Sequence, residues 1–289
     1  MTERPPYVPQ SWETVNCPFC DSSESSLLER FGDKLQYTYV KCRNCSLVYH
    51  NPRPTYNEHF LEAAYGRYFM YNPDYDYTDE VLFEFKDEVS EISKFDTLRS
   101  AVLDIGTSMG AFLKAAQPVY KRVEGLEISE QMADFTEKKL GVKVFRSQFE
   151  QFKPALKYSC IHMSHVIEHI PNPNEWMECA MELLEERGIL VICVPNMNSL
   201  GRKFKRLLQR LKIRRGNWKE SWRTPDHLFE PTIRSMKYLG KKHGFELLSY
   251  YTYSRKDPAS QKLKSRFMQR WLKMGSNLRF YFAKPANSE

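Results

Sequence analysis

From about residue 99 onward, short apolar runs alternate with stretches whose apolar residues recur at helical spacing. The run 101–106 predicts a buried strand, 110–117 a helix, 122–128 a second strand and 130–140 a second helix. The runs 142–145 and 158–165 predict a third and fourth strand, followed by a helix over 173–186 and a fifth strand over 188–194. A helix over 232–243 then leads to strands over 245–253 and 278–282. Strands in rotation with helices specify an α/β fold, a parallel sheet covered on both faces. Ligands of such sheets bind beyond the carboxyl ends of the strands.

Ahead of this region the pattern changes. Cys17-Pro-Phe-Cys20 and Cys42-Arg-Asn-Cys45 are two C-x-x-C turns with 21 residues between them. Each turn presents two thiolates, and two turns supply the four corners of a tetrahedral zinc site. The run 36–41 reads as a strand leading into the second turn. This is the pattern of a zinc ribbon. Cys17, Cys20, Cys42 and Cys45 are the expected ligands of a structural Zn2+ that leaves no open position for catalysis. His50 and His59 lie nearby, outside a shell that four cysteines fill. The chain thus divides into a zinc-ribbon-like module over 1–60, a Tyr-rich helical connector over 61–98 and an α/β domain over 99–289. Tyr65, Tyr68, Tyr71, Tyr75 and Tyr77 crowd the connector and suit either a lid or packing between module and domain.

A length of 289 residues accommodates one α/β domain plus the small module. No stretch approaches the apolar length of a membrane span, and the first ten residues lack the apolar core of a signal peptide. The expected address is the cytoplasm, where thiols stay reduced. In that setting the seven cysteines read as four metal ligands and three core residues, Cys160, Cys179 and Cys193.

The net charge of +7 conceals a split. Residues 200–289 hold 23 Lys and Arg against 6 Asp and Glu, whereas 1–199 hold 20 against 30. Ten of the basic residues fall between 201 and 223, with Glu220 the single acid, inside a basic insertion read at 198–224. Leu200, Phe204, Leu207, Leu208 and Leu211 recur there at helical spacing, and Leu263, Phe267, Trp271 and Met274 repeat the design. Basic amphipathic helices suit an anionic membrane surface, giving peripheral contact, or a phosphate-rich ligand; packing on the core with solvated charges is the plainer alternative.

The strand ends carry the chemistry. Asp104-Ile-Gly-Thr-Ser-Met-Gly110 closes the first strand and opens a helix, and its glycines let the backbone approach a ligand. Glu127, 23 residues beyond Asp104, ends the second strand, where an acid can accept both hydroxyls of a ribose. A dinucleotide enzyme would show the same pair with a loop richer in glycine. The run 104–110, Val123-Glu-Gly-Leu-Glu-Ile-Ser129 and His165-Val-Ile-Glu-His-Ile-Pro-Asn-Pro173 resemble the S-adenosylmethionine (SAM) signatures of class I methyltransferases. Lys41-Cys-Arg-Asn-Cys-Ser-Leu-Val-Tyr-His-Asn-Pro-Arg-Pro54, Val194-Pro-Asn196 and Pro225-Asp-His-Leu-Phe229 resemble the zinc-knuckle branch called methyltransferase domain 23.

The resemblance covers roughly residues 17–250. It implies a Rossmann-like sheet of seven strands whose last strand inserts antiparallel between the fifth and sixth. It also implies SAM held by the loop from Asp104 through Gly106 and Gly110, with the two glycines against the methionine moiety. Glu127 then grips the ribose, Gln148 lies beside the adenine and His165 closes over the cofactor. Ser108 stands where many relatives carry a middle glycine. No carboxylate is identified after the third strand, which leaves Gln148 as the adenine candidate.

Methyl transfer from a sulfonium is an in-line displacement, so the protein mainly aligns donor and acceptor and excludes water. An oxygen or carbon acceptor also calls for a base. His227, which matches a family landmark, is the first candidate and His169 the second; both also read as packed hydrogen-bonding residues. The Asn/Asp-Pro-Pro-Tyr/Phe run of enzymes that methylate base amines is absent after the fourth strand, where Ser164-His-Val-Ile-Glu168 stands. The Pro-Cys context of cytosine C5 enzymes is absent too. The expected partner is a small-molecule acceptor such as a sugar, nucleotide-sugar or lipid-linked intermediate, methylated on O or C in preference to N. An RNA methyltransferase using the ribbon and basic face, and a catalytically silent SAM-binding module, are the alternatives.

Overall fold

Five short strands occupy the N-terminal part of the chain: β1 (Trp12–Glu13), β2 (Ser25–Phe31), β3 (Tyr37–Cys42), β4 (Val48–His50) and β5 (Arg53–Pro54). Helix α1 (Asp79–Ile92) follows, and then the alternating region of β6 (Ala101–Ile105), α2 (Ala111–Ala116), β7 (Arg122–Leu126), α3 (Glu130–Leu140) and β8 (Lys143–Phe145). β9 (Tyr158–Ser164), α4 (Pro173–Leu183), β10 (Leu184–Pro195), β11 (Phe229–Glu230), α5 (Ile233–Lys242), β12 (Glu246–Tyr253) and β13 (Asn277–Ala283) complete the order. The computed structural model describes residues 9–31, 37–57, 60, 72, 74–197, 199, 227–254 and 275–286. The basic segments at 200–224 and 262–274, with Tyr65, Tyr68, Tyr71 and His59, lie outside them.

The main sheet has seven strands in the order β12-β13-β10-β9-β6-β7-β8. Strands β6 to β10 run parallel, and β13 lies antiparallel to both β10 and β12. This is the Rossmann-like class I methyltransferase sheet, with the last strand inserted between the fifth and sixth of the alternating series. All five residues of β6 are buried, as a central parallel strand requires. Local signals set the helix ends: Ser129 caps α3 through the Met132 N–H, Gly141 closes it with φ 65°, and Thr232 and Ser235 form a capping box on α5. One boundary differs from expectation. α4 ends at Leu183 rather than near 186, and β10 starts at Leu184 with a register break before Ile189. Arg187, at φ 62°, and the polar pair Glu185 and Glu186 occupy that break.

A second sheet, in the order β11-β4-β3-β2, ties the N-terminal strands to the segment after the fifth alternating strand, from which β11 comes. One hydrophobic core contains Cys17, Phe19, Cys42, Cys45 and Leu47 together with Phe229, Met236 and the sheet residues Leu190 and Phe280. Phe19 is fully buried, edge-on to Phe229 at 5.2 Å, and burial of such a ring contributes about 1.5–3 kcal/mol. Polar ties reinforce the contact: Asn174 Nδ2 and Lys242 Nζ donate to the Pro18 and Phe19 carbonyls at 2.7 and 2.9 Å. No helix among the described residues is long and apolar enough to cross a membrane.

Candidate active site and thiolate cluster

A cavity of about 860 Å³ opens at the carboxyl ends of β6, β7 and β9, where a parallel sheet places its ligands. Asp104, Gly106 and Ser108 line it from the β6–α2 loop, and Glu127 from the end of β7. Gln148 lines it from the turn after β8, and His165 and His169 from the stretch after β9. Two expected residues are placed otherwise. Gly110 caps α2 at φ 77°, and a Cβ there would meet Thr136 Cγ2 at 2.6 Å. It is therefore glycine for the close approach of α3, and it is not on the cavity wall. His227 sits behind His169, ring edge to ring face at 4.6 Å, and does not itself line the cavity.

The loop has a structural reason for its glycine. Gly106 has φ 70°, and a Cβ would lie 2.7 Å from Val166 Cγ2, so only a bare backbone fits. Ser108 adopts φ 49°, a conformation that costs a non-glycine residue about 1–3 kcal/mol. That strain aims its N–H at Glu127 Oε2 (2.8 Å), while the Ser129 N–H reaches Oε1 (3.0 Å). The Glu127 carboxylate, 5% exposed, thus bridges two loops, and each oxygen keeps acceptor capacity beyond the bond it makes. Burial pushes its pKa up from the ordinary carboxylate value, and the Ser129 and Ser108 amides oppose that rise.

Four further polar atoms on cavity residues are buried without a hydrogen-bond partner: Thr107 Oγ1, Ser147 Oγ, Glu150 Oε2 and Ser164 Oγ. Such groups cost about 1–3 kcal/mol each unless a ligand or water satisfies them. Glu150 also corrects the sequence reading, which finds no carboxylate after the third strand. A 3₁₀ turn at Phe149–Gln151 folds Glu150 back onto the wall beside Gln148. The sequence signal was present, an acid five residues past the strand, but its direction depended on that turn.

Sequence reasoning also missed His162. In a strand otherwise apolar at its centre, its Nδ1 lies 2.7 Å from Asp104 Oδ1 and its Nε2 3.1 Å from Glu88 Oε1. Its ring stacks on Phe112 at 3.8 Å. Burial alone would lower its pKa, but Glu88 and Asp104 hold it well above the ordinary value. Asp104 is thereby anchored on its sheet side while lining the cavity.

The far end of the cavity is rich in imidazole. The 3₁₀ turn Ile167–His169 brings Glu168, fully buried, beside His165, whose Nδ1 is 3.2 Å from Glu168 Oε1. The Leu228 N–H donates to the Glu168 carbonyl at 2.9 Å, and the His50 N–H donates to the Leu228 carbonyl at 3.0 Å. With β11 paired to β4, these bonds fix His227 next to His169. The N-terminal sheet therefore holds His227 against a cavity residue.

In the thiolate cluster, Cys17 Sγ and Cys45 Sγ are 3.4 Å apart, and Cys20 Sγ and Cys42 Sγ are 3.5 Å apart. All four sulfurs lie within 4.8 Å of one another. Zn–S bonds of about 2.3 Å imply tetrahedral edges of about 3.8 Å, so the spacing and donor set fit that ion. The Cys45 contact and burial push the Cys17 thiol well up, so its thiolate form calls for a neighbouring cation.

A family model described as Methyltransferase domain matches residues 77–250. Among solved structures, the chain is similar to the N-methyltransferase NodS from Bradyrhizobium japonicum in complex with S-adenosyl-L-homocysteine (SAH). The identity is 11%, over 78% of this chain and 98% of that one, with a TM-score of 0.51. It is also similar to SAM-dependent methyltransferases from Archaeoglobus fulgidus (17% identity, 79% and 100% covered, TM-score 0.50) and Clostridium acetobutylicum (12%, 79% and 97%, 0.50). At these identities the likeness shows the fold. No curated protein matches. Fold and family model agree: the chain belongs to the methyltransferase domain family, class I enzymes that use S-adenosylmethionine.

Proposed function

We propose that the cavity at the ends of β6, β7 and β9 holds SAM and that the chain methylates an O or C atom of a small molecule. The observation that carries the reading is Glu127, a buried carboxylate on the cavity wall with acceptor capacity left on both oxygens. When bound, SAM supplies an activated methyl group on a sulfonium. Glu127 accepts from the two ribose hydroxyls, and the backbone at Gly106 lies against the methionine moiety with Asp104 held behind it by His162. Gln148 and Glu150 face the adenine, and Glu150 Oε2 accepts from its amine. His165 covers the cofactor from the β9 side. His169, on the cavity wall, takes the proton of the acceptor, with His227 and the buried carboxylate of Glu168 behind it. A sugar, nucleotide-sugar or lipid-linked acceptor fits the imidazole-rich end, and the basic last third suits a phosphate on it or contact with an anionic membrane.

Calorimetry on the zinc-loaded full chain is the test. One SAH per chain is expected; no binding heat would sink the reading and leave a fold without its ligand.

Zn2+ at Cys17, Cys20, Cys42 and Cys45 would lock the module against Asn174 and α5, and through β4 would steady β11 and His227. The metal-free chain refilled with Co2+ should show strong thiolate-to-metal charge-transfer absorption, largely lost after Cys42→Ser. Unchanged thiolate absorption in the variant would reject a four-thiolate site.

A further inference from the structure

Three side chains outside the SAM contacts converge on one point. Glu168, His169 and His227 each offer a ligand atom, and those atoms all lie within 4.8 Å of one another. Two imidazoles and a carboxylate are the donor set of open divalent sites, in which three protein ligands leave further positions to water or substrate. A second observation points to a ligand. Glu168 is 0% exposed, its Oε1 is engaged by His165, and its Oε2 is buried without a hydrogen-bond partner. A buried carboxylate oxygen left in that state is costly, and a cation would offset the cost.

The surroundings are those of a metal site. His227 Nδ1 is 3.2 Å from Glu230 Oε1, and Glu230 is 2% exposed. With Nδ1–H donated to that carboxylate, Nε2 of His227 carries the ring's lone pair, the carboxylate–histidine arrangement that orients metal ligands. His165 plays the same part for Glu168. Backbone bonds from Leu228 to Glu168 and from His50 to Leu228 hold the segments together. Among the described residues the other mixed cluster, Glu88 with His162 and Cys193, is closed to a cation. Both His162 nitrogens are engaged there and Arg279 Nη2 sits 2.9 Å from Glu88 Oε2.

We infer that Glu168, His169 and His227 bind one divalent first-row transition metal ion at the end of the cavity, with its open positions toward an acceptor hydroxyl. His169 lines the cavity, so an ion on it meets the acceptor rather than the core. The inference rests on the proposed SAM cavity and refines the part given to His169, which becomes a ligand rather than the base. A hydroxyl held by the ion loses its proton more readily. The proton leaves to solvent, the oxygen pair forms the O–CH3 bond, and the pair of the broken S–CH3 bond stays on sulfur. Acceptors that present a hydroxyl, especially beside a second oxygen donor, are the class this site selects.

Mn2+ is the probe, because it is paramagnetic and suits carboxylate and water oxygens, whereas one equivalent of zinc goes to the softer four-thiolate site. Electron paramagnetic resonance on the full chain carrying one equivalent of zinc should show one bound Mn2+, and pulsed measurements should show hyperfine coupling to imidazole nitrogen. Affinity should fall at least about 100-fold in His227→Gln and about 10–100-fold in Glu230→Gln, which touches only the ligand's partner. No bound Mn2+ in the wild type, or bound Mn2+ without imidazole coupling, would overturn the site whatever the variants do. Equal affinity in wild type and both variants would overturn it as well. SAH calorimetry on the chain with one equivalent of zinc and no Mn2+ tests the cavity separately, so a chain that binds SAH but no Mn2+ loses this inference alone.

Discussion

Replacing Glu127 with alanine is expected to weaken SAH binding about 100-fold in calorimetry. Hydrogen bonds to a charged acceptor contribute about 1.5–3 kcal/mol each, and loss of two weak ones amounts to about 3 kcal/mol, or two decades in affinity. The same substitution releases the amides of Ser108 and Ser129, the first of which is held in a strained conformation. Glu127→Gln keeps one acceptor oxygen and should lose about tenfold. Because burial raises the Glu127 pKa above the ordinary 4.5, SAH affinity should begin to fall on acidification before an exposed glutamate would protonate. Unchanged affinity in Glu127→Ala would place the ribose elsewhere.

Arg279→Met should destabilise the fold by about 3–5 kcal/mol in urea unfolding, the cost of leaving a buried charge without its partner. Arg279, on β13 and 5% exposed, has Nη2 2.9 Å from Glu88 Oε2, and its Nη1 donates to Tyr251 Oη at 2.6 Å. Its Nε donates to Cys193 Sγ at 3.2 Å. Burial alone would raise the Glu88 pKa, but Arg279 and His162 outweigh it and bring the group down from 4.5 to about 2. A depressed carboxylate contributes stability above its unfolded pKa and loses it as pH falls through the folded one. The wild type should therefore lose this contribution between about pH 4.5 and 2. In the variant, Glu88 is no longer drawn down by Arg279, so the gap between the two proteins should narrow over that window. Adding Glu88→Gln to Arg279→Met should recover part of the loss; additive destabilisation would show that the two residues do not act as a pair.

The network around Glu88 was not legible as a motif. Glu88, His162, Cys193, Arg279 and Tyr251 come from α1 and four strands, and only sheet register sets Cys193 opposite Arg279 and Arg279 opposite Tyr251. Asp104, by contrast, is legible in the sequence, because it is the one acid in an apolar run and stands two residues before Gly106. Its pairing with His162 depended on β6 lying beside β9, a neighbour separated by two intervening strands in the chain. Glu150 was missed for a local reason, since a 3₁₀ turn reverses the direction that strand spacing assigns to it.

Sequence alone determined the features written in local chemistry. Periodicity specified the alternating strands and helices, paired C-x-x-C turns specified the thiolate cluster, and an acid after the second strand specified Glu127. These features depend on spacing along one stretch of chain, so they survive without knowledge of the fold. Tertiary structure decided the rest: that β11 returns to pair with β4, that His227 stands behind His169, and that Gly110 serves helix packing. Those arrangements come from burial and register between distant segments. The free energy of such contacts exists only once the chain has closed on itself, and no local pattern encodes their direction.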